Sequence, residues 1–171
     1  MLMTDRKNAS GSFLELFFPI HYLIGMQVED ALRCGDLTRQ QACILWTIRM
    51  RGEDGAVMRR KEIEAVLSSW YDVTSSAISK SLRAMTKPPM DLLFLTEDPS
   101  SGREKVVSLT PKGRRYVERM IAEGCGFIDG IVEKLTDEEI ESGLSFFKRL
   151  SDIHEQMQEE AAGSKPSRRK P

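Results

Sequence analysis

Hydroxyl and basic side chains recur near the middle of this sequence at the spacing of a single helix face. The set consists of Thr74, Ser75, Ser76, Ser79, Lys80 and Arg83. Short hydroxyl side chains at a helix N-terminus allow a phosphate to approach the backbone N–H groups, whereas Lys and Arg can donate to guanine edges. We therefore predict phosphate contacts for Ser75 and Ser76, and base contacts for Lys80 and Arg83, on double-stranded DNA.

The segments before these side chains predict a helix, a turn and then the polar helix itself. Residues 59–67 have apolar side chains at helical spacing, and residues 68–72 are predicted to form a break. Either Asp72 or Thr74 is suited to cap the polar helix, because both have short side-chain oxygens that accept from the first helical N–H groups. Apolar residues on its opposite face are expected to point into a core, at Ile78, Leu82 and Met85.

A β-hairpin is predicted after the polar helix. Strand formers at residues 92–97 and 104–109 enclose a segment rich in turn residues. Residues 57 and 58 are compatible either with a further short strand or with the lead into the helix that follows them. Arg103 and Lys105 of the hairpin are expected to reach the adjacent minor groove or the DNA backbone. The resulting order of elements is helix, turn, helix and wing.

Composition and charge are compatible with this interpretation. The chain has 171 residues, of which 40% are hydrophobic, and it has no apolar run long enough to span a membrane, so a soluble cytoplasmic protein is expected. The net charge is −1, but residues 59–119 contain 12 Lys and Arg against 8 Asp and Glu. Phosphate binding requires a basic local surface rather than a basic protein.

At this point the sequence resembles the MarR family of bacterial transcription regulators. The resemblance depends on four motifs in order, which are LTxxQ at residues 37–41, TSSAISK at 74–80, DPxxxR at 98–103 and VSLTPKG at 107–113. It covers roughly residues 13–155. The resemblance implies a homodimer that binds a pseudo-palindromic operator with its recognition helices about 34 Å apart. It further implies a repressor, and release by a small aromatic effector.

The resemblance also divides the chain into five parts and implies a mainly α fold with a small β-hairpin wing. These parts are a flexible leader (1–11), an N-terminal dimerisation helix (12–36), a winged helix-turn-helix (37–109), two C-terminal dimerisation helices (110–160) and a disordered basic tail (161–171). Capping boxes are predicted where helices start, at Ser12 with Glu15, Thr38 with Gln41 and Thr136 with Glu139. Pro19 is expected to kink the first helix or to mark a restart, and Thr110-Pro111 to begin a later one.

The sequence departs from the family pattern in the wing and in the helix connections. Ser101 and Gly102 replace an Asp and an Arg of the usual wing motif, and Thr96 stands where an Arg is common. We therefore expect a more mobile wing that contacts phosphate weakly. Trp70 and Tyr71, together with residues 87–90, predict connections longer than usual.

Other residues suggest weaker hypotheses. His21, Tyr22 and Trp46 are candidates to line an effector cleft, although packing is the simpler explanation. Three cysteines without a CxxC motif argue against a zinc site, and no cofactor or metal is expected. The usual motifs of nucleophilic or phosphate-binding enzymes are missing, so catalysis is not expected. The alternative to DNA binding is a winged-helix module that binds another protein, such as an antirepressor.

Overall fold

The computed structural model describes residues 7–98, 101 and 104–163. Its helices are α1 (Ala9–Ile20), α2 (Met26–Arg33), α3 (Arg39–Arg51), α4 (Arg60–Trp70), α5 (Ser75–Met85), α6 (Pro111–Val132) and α7 (Asp137–Gly163). Its strands are β1 (Val57–Arg59), β2 (Leu93–Glu97) and β3 (Lys105–Leu109). The predicted class, mainly α with a small β wing, is confirmed. The chain forms two compact units, the first ending at Ile128 and the second beginning at Asp129.

The N-terminal helix starts earlier than the sequence suggested. Helix α1 begins at Ala9, and Ser12 lies inside it with its hydroxyl 3.4 Å from the carbonyl oxygen of Asn8, so the Ser12 capping box was wrong. The capping-box pattern gave the wrong start because the residues before Ser12 are also helical. Pro19 lies inside α1, and a wider π-helical turn, His21–Gly25, follows α1 before α2 continues the run. Cys34 and Gly35 end α2 with positive φ angles of 51° and 76°.

Helix α3 is the centre of the core of the first unit. Thr38 caps it, and both hydrogen bonds of the predicted box with Gln41 are present. Its residues Ile44, Leu45 and Ile48 are completely buried. They belong to a cluster with buried side chains from α4, α5 and the sheet, including Ile63, Leu67, Ile78, Leu82, Met85 and Val107. This shared core fixes α4, α5 and the sheet relative to one another.

The connection between α4 and α5 is shorter than predicted. Helix α4 continues through Ser68 and Ser69 to Trp70, so the predicted break at residues 68–72 was misplaced. Ser69 donates to the carbonyl oxygen of Val66 at 2.8 Å, which satisfies its hydroxyl within the helix. Tyr71 then adopts an extended backbone with φ −159°, and Thr74 caps α5. Residues 71–74 therefore form the turn of a helix-turn-helix.

The wing is part of a three-stranded antiparallel sheet in the order β1-β3-β2. Residues 57 and 58 do form a strand, with Met58 opposite Val107. On the other side, Leu95 lies opposite the same Val107, which is fully buried. The central strand β3 thereby connects the wing to α4 through β1.

Helix α6 begins where the sequence predicted. The Thr110 hydroxyl accepts from the N–H of Gly113 at 2.8 Å and donates to the carbonyl oxygen of Asp91 at 2.7 Å. Farther along α6, a Cβ on Gly124 would lie 2.9 Å from a methyl group of Leu32, so this glycine permits close packing on α2. The Tyr116 hydroxyl donates to the carbonyl oxygen of Arg33 at 3.0 Å.

The second unit contains the end of α6 and the long helix α7. Its predicted capping box is confirmed, since Thr136 and Glu139 exchange both hydrogen bonds. The N–H and the hydroxyl group of Thr136 both donate to the Glu139 carboxylate, and these two bonds lower the pKa of that carboxyl group. Helix α7 extends to Gly163, three residues into the segment predicted as a disordered tail, and residues 164–171 lie outside the described part. Within the described ranges, no helix has both the length and the hydropathy needed to cross a membrane.

Candidate nucleic-acid interface

Helix α5 presents a polar face because its apolar face is held in the core. Ile78, Leu82 and Met85 are at most 1% exposed. The 3.6-residue period then turns Ser76, Lys80 and Arg83 into solvent, where all three are exposed. Among the residues that the structure describes, neither Lys80 nor Arg83 has an ion-pair partner. Two positively charged side chains without a described ion-pair partner therefore lie about one turn apart on a helix whose opposite face is packed in the core.

The other predicted residues of α5 have partners within the protein or are partly covered. The Thr74 hydroxyl accepts from the N–H of Ala77 at 3.2 Å and serves as the N-cap. The Ser75 hydroxyl lies 2.5 Å from an Arg60 guanidinium nitrogen, which donates to it. Ser79 is half-buried. Ser75 and Ser76, the two residues proposed for phosphate contacts, are both exposed, and of the two only Ser76 has no hydrogen-bond partner for its hydroxyl among the described residues.

The wing cation Lys105 is also paired. Its ammonium lies 2.7 Å from a carboxylate oxygen of Glu97, its direct neighbour across the β2–β3 hairpin. The hydrogen bond and the positive charge lower the pKa of Glu97. A phosphate that approached Lys105 would have to compete with this carboxylate. Arg103, the other predicted wing residue, lies outside the described residues.

An ion pair that the sequence reasoning missed lies at the base of the wing. Arg59 donates from Nε to a carboxylate oxygen of Asp98 at 3.0 Å, and the Asp98 side chain is only 7% exposed. The hydrogen bond and charge of Asp98 raise the pKa of Arg59. Lys61 adds a looser contact to Glu104 at 3.7 Å. The sequence does not predict the Arg59–Asp98 pair, because it leaves open whether residues 57 and 58 form a strand of the sheet.

The three residues proposed for an effector cleft are not brought together in one cavity. Trp46 lines a small pocket of about 70 Å³ with Glu29, Leu32, Arg39, Ala42 and Cys43. His21 and Tyr22 are exposed on the π-helical turn, with ring centroids 4.9 Å apart, and neither lines this pocket. An ion pair of 2.6 Å joins Glu29 and Arg39, two of the residues that line it.

Cys43 is the cysteine that lines the pocket. Burial raises the pKa of its thiol, and the negative charge of Glu29 raises it further. Burial and the neighbouring Cys43 raise the pKa of Tyr71 to about 12. Both groups are therefore neutral near pH 7, which disfavours a reactive thiolate. No cluster of three metal-ligating side chains occurs within the described ranges.

Comparisons with known proteins find a family model and several solved structures that resemble this chain. Residues 37–113 match the model of a winged helix DNA-binding domain. MepR, a transcription regulator of the Staphylococcus aureus multidrug efflux pump MepA, aligns with a TM-score of 0.62 and 23% identity, covering 83% of this chain and 97% of that one. A cysteine-to-serine mutant of MarR from E. coli, complexed with operator DNA, aligns with a TM-score of 0.61 and 20% identity over 86% of this chain and 99% of that one.

A third solved structure, of YusO from Bacillus subtilis, has a TM-score of 0.61 and 16% identity, covering 87% of this chain and 99% of that chain. No curated protein matches the sequence. Residues 37–113 are thus similar to winged helix DNA-binding domains. It has the fold of MarR-type transcription regulators, as the resemblance in its sequence predicted.

Proposed function

We propose that this protein is a transcription regulator that binds a specific DNA sequence as a homodimer. The proposal is supported mainly by the exposed face of α5. Ser76, Lys80 and Arg83 lie on this face, and the apolar residues on the opposite face of the helix are buried in the core. In this arrangement α5 enters the major groove, Lys80 and Arg83 donate to base edges, and Ser76 meets a phosphate. The wing supplies Lys105 and Arg103 to the adjacent backbone or minor groove.

The apolar surface of α1 supports dimerisation. Phe13, Leu14, Leu16, Phe17 and Phe18 are 53–67% exposed, which is unusual for closely spaced large side chains on a monomer. In the second unit, α7 also exposes apolar side chains, including Leu144 and Phe147. Both surfaces are where the resemblance predicts a dimer interface. A twofold dimer would present two α5 helices to two half-sites one DNA turn apart.

Repression in the cytoplasm and release by a small aromatic effector complete the proposal. Repression is proposed only because it is common in the family that the sequence resembles. The direction of regulation itself depends on where the DNA site lies relative to the promoter. The pocket beside Trp46, at about 70 Å³, is smaller than the roughly 150 Å³ that holds a benzene ring in other proteins. An effector bound there would have to displace the Glu29–Arg39 pair, and His21 and Tyr22 would contribute only after rearrangement.

Fluorescence anisotropy on labelled DNA from upstream of the protein's own reading frame tests the proposal. We expect tight binding to at least one fragment that resists excess unrelated duplex, and a linear fall of log affinity with log salt. Binding that unrelated duplex removes completely, or no binding at all, would contradict a sequence-specific regulator. The second result would favour the protein-binding alternative.

A further inference from the structure

Two consecutive arginines at the start of α4 reach the two elements that would read DNA. Arg60 donates to Ser75, the first residue of α5, and also contacts Glu64 at 3.0 Å. Arg59 donates to Asp98, which directly follows β2. Two adjacent residues thus connect the start of α4 to the end of β2 and to the start of α5. We propose that Asp98 is a positioning residue for DNA binding, acting through Arg59 to hold the wing in register with α5.

The geometry at Asp98 supports a positioning role. Its side chain is 7% exposed, and its N–H donates to the carbonyl oxygen of Glu104 at 2.8 Å, so it closes the hairpin where the tip begins. Arg59 is itself oriented, because its N–H donates to a carboxylate oxygen of Glu62 at 3.1 Å. Loss of either partner would remove the contact that joins the start of α4 to the residue after β2, and the wing would no longer be held there.

The sequence provides a matched comparison one residue away. Glu97 is exposed and pairs with Lys105, whereas Asp98 is buried and pairs with Arg59. Long-range electrostatics alone predicts that neutralising either carboxylate tightens DNA binding, because one negative charge near the phosphates is removed. A positioning role predicts opposite signs. Neutral Glu97 frees Lys105 and tightens binding, whereas neutral Asp98 releases the wing and weakens it.

The proposal depends on the DNA-binding function proposed above, and its test uses the full chain on the selected DNA fragment. We expect Glu97→Gln to bind about two- to threefold more tightly than wild type and Asp98→Asn to bind about fivefold or more weakly. Asp98→Glu keeps the charge but displaces the carboxylate, so it should also bind more weakly. The change Arg59→Ala should weaken binding in wild type but add little in the Asp98→Asn background.

Thermal denaturation of each variant shows whether it is folded at the assay temperature. If Asp98→Asn unfolds, Asp98→Glu and Arg59→Ala carry the test, because the first conserves charge and the second changes a half-exposed side chain. Wild-type affinity for Asp98→Glu, or tighter binding by Asp98→Asn, would overturn the positioning role. Failure of the wild-type protein to bind specifically would instead overturn the proposed function, and this proposal with it.

Discussion

Gly113 in the first turn of α6 packs directly against the backbone of Leu92, and a Cβ on Gly113 would overlap the Leu92 carbonyl oxygen. The same oxygen accepts from the N–H of Thr110 at 3.0 Å. The start of α6 is therefore fastened to the residue that precedes β2. This contact sets the distance between the wing and the helix that follows it.

Substituting alanine for Gly113 should accordingly destabilise the protein by more than about 2 kcal/mol, since the displaced atoms are backbone rather than a flexible side chain. Gly126 in the same helix is a matched control, because a Cβ there meets nothing within 4 Å. Gly126→Ala should be neutral or stabilise by up to about 1 kcal/mol through helix propensity. Chemical denaturation of both variants checks the difference. Equal stabilities would show that the Leu92 contact yields easily.

The apolar face of α1 should control association. Phe17→Glu should weaken dimerisation by at least about 2 kcal/mol, because a charge would be buried at the proposed interface. Met50→Glu is the matched control, since Met50 on α3 has the same 62% exposure as Phe17. Sedimentation velocity over a range of concentrations measures both variants. A wild-type protein that is monomeric at micromolar concentration, or a Phe17→Glu variant that still dimerises like wild type, would contradict the role of α1.

Cys43 should react slowly with alkylating reagents. Burial and Glu29 raise its pKa, so the thiol stays protonated through its ordinary titration range, and its reaction rate should rise only as pH passes that raised value. Cys125 is exposed and serves as the internal reference. Timed iodoacetamide labelling followed by peptide mass spectrometry compares the two sites. Labelling of Cys43 at the rate of Cys125 near neutral pH would indicate an open pocket and a reactive thiol.

The recognition helix was predictable from the sequence because its apolar and polar residues recur with a clear helical period. Thr38 and Thr136 were recognisable as caps for a related reason, since the flanking residues on their N-terminal side do not continue a helix. The Ser12–Glu15 pair has the same spacing and similar residue types, but the helix continues on its N-terminal side to Ala9. Local patterns therefore identify an element more securely than its first residue.

Contacts between distant segments could not be read from local patterns. The pairing of Arg59 with Asp98 spans 39 residues and exists only because β1 joins β3. Likewise, Ser75 was expected to face DNA freely, yet Arg60 from the preceding helix already donates to it. Lys105 was expected as a wing cation without its cross-strand partner Glu97. In each case a residue with a clear local role acquired a second role from the tertiary fold.

The most direct test of the account compares Lys80→Ala/Arg83→Ala with Lys148→Ala/Arg149→Ala. Both variants lose two positive charges from exposed helix positions, the first pair on α5 and the second on α7. Anisotropy on the selected fragment and on unrelated duplex, across a salt series, separates specific from general binding. We predict that the α5 variant loses most of its preference for the selected fragment, about 1–3 kcal/mol for each base contact, while the α7 variant retains it. An unchanged preference in the α5 variant would contradict sequence reading by this helix.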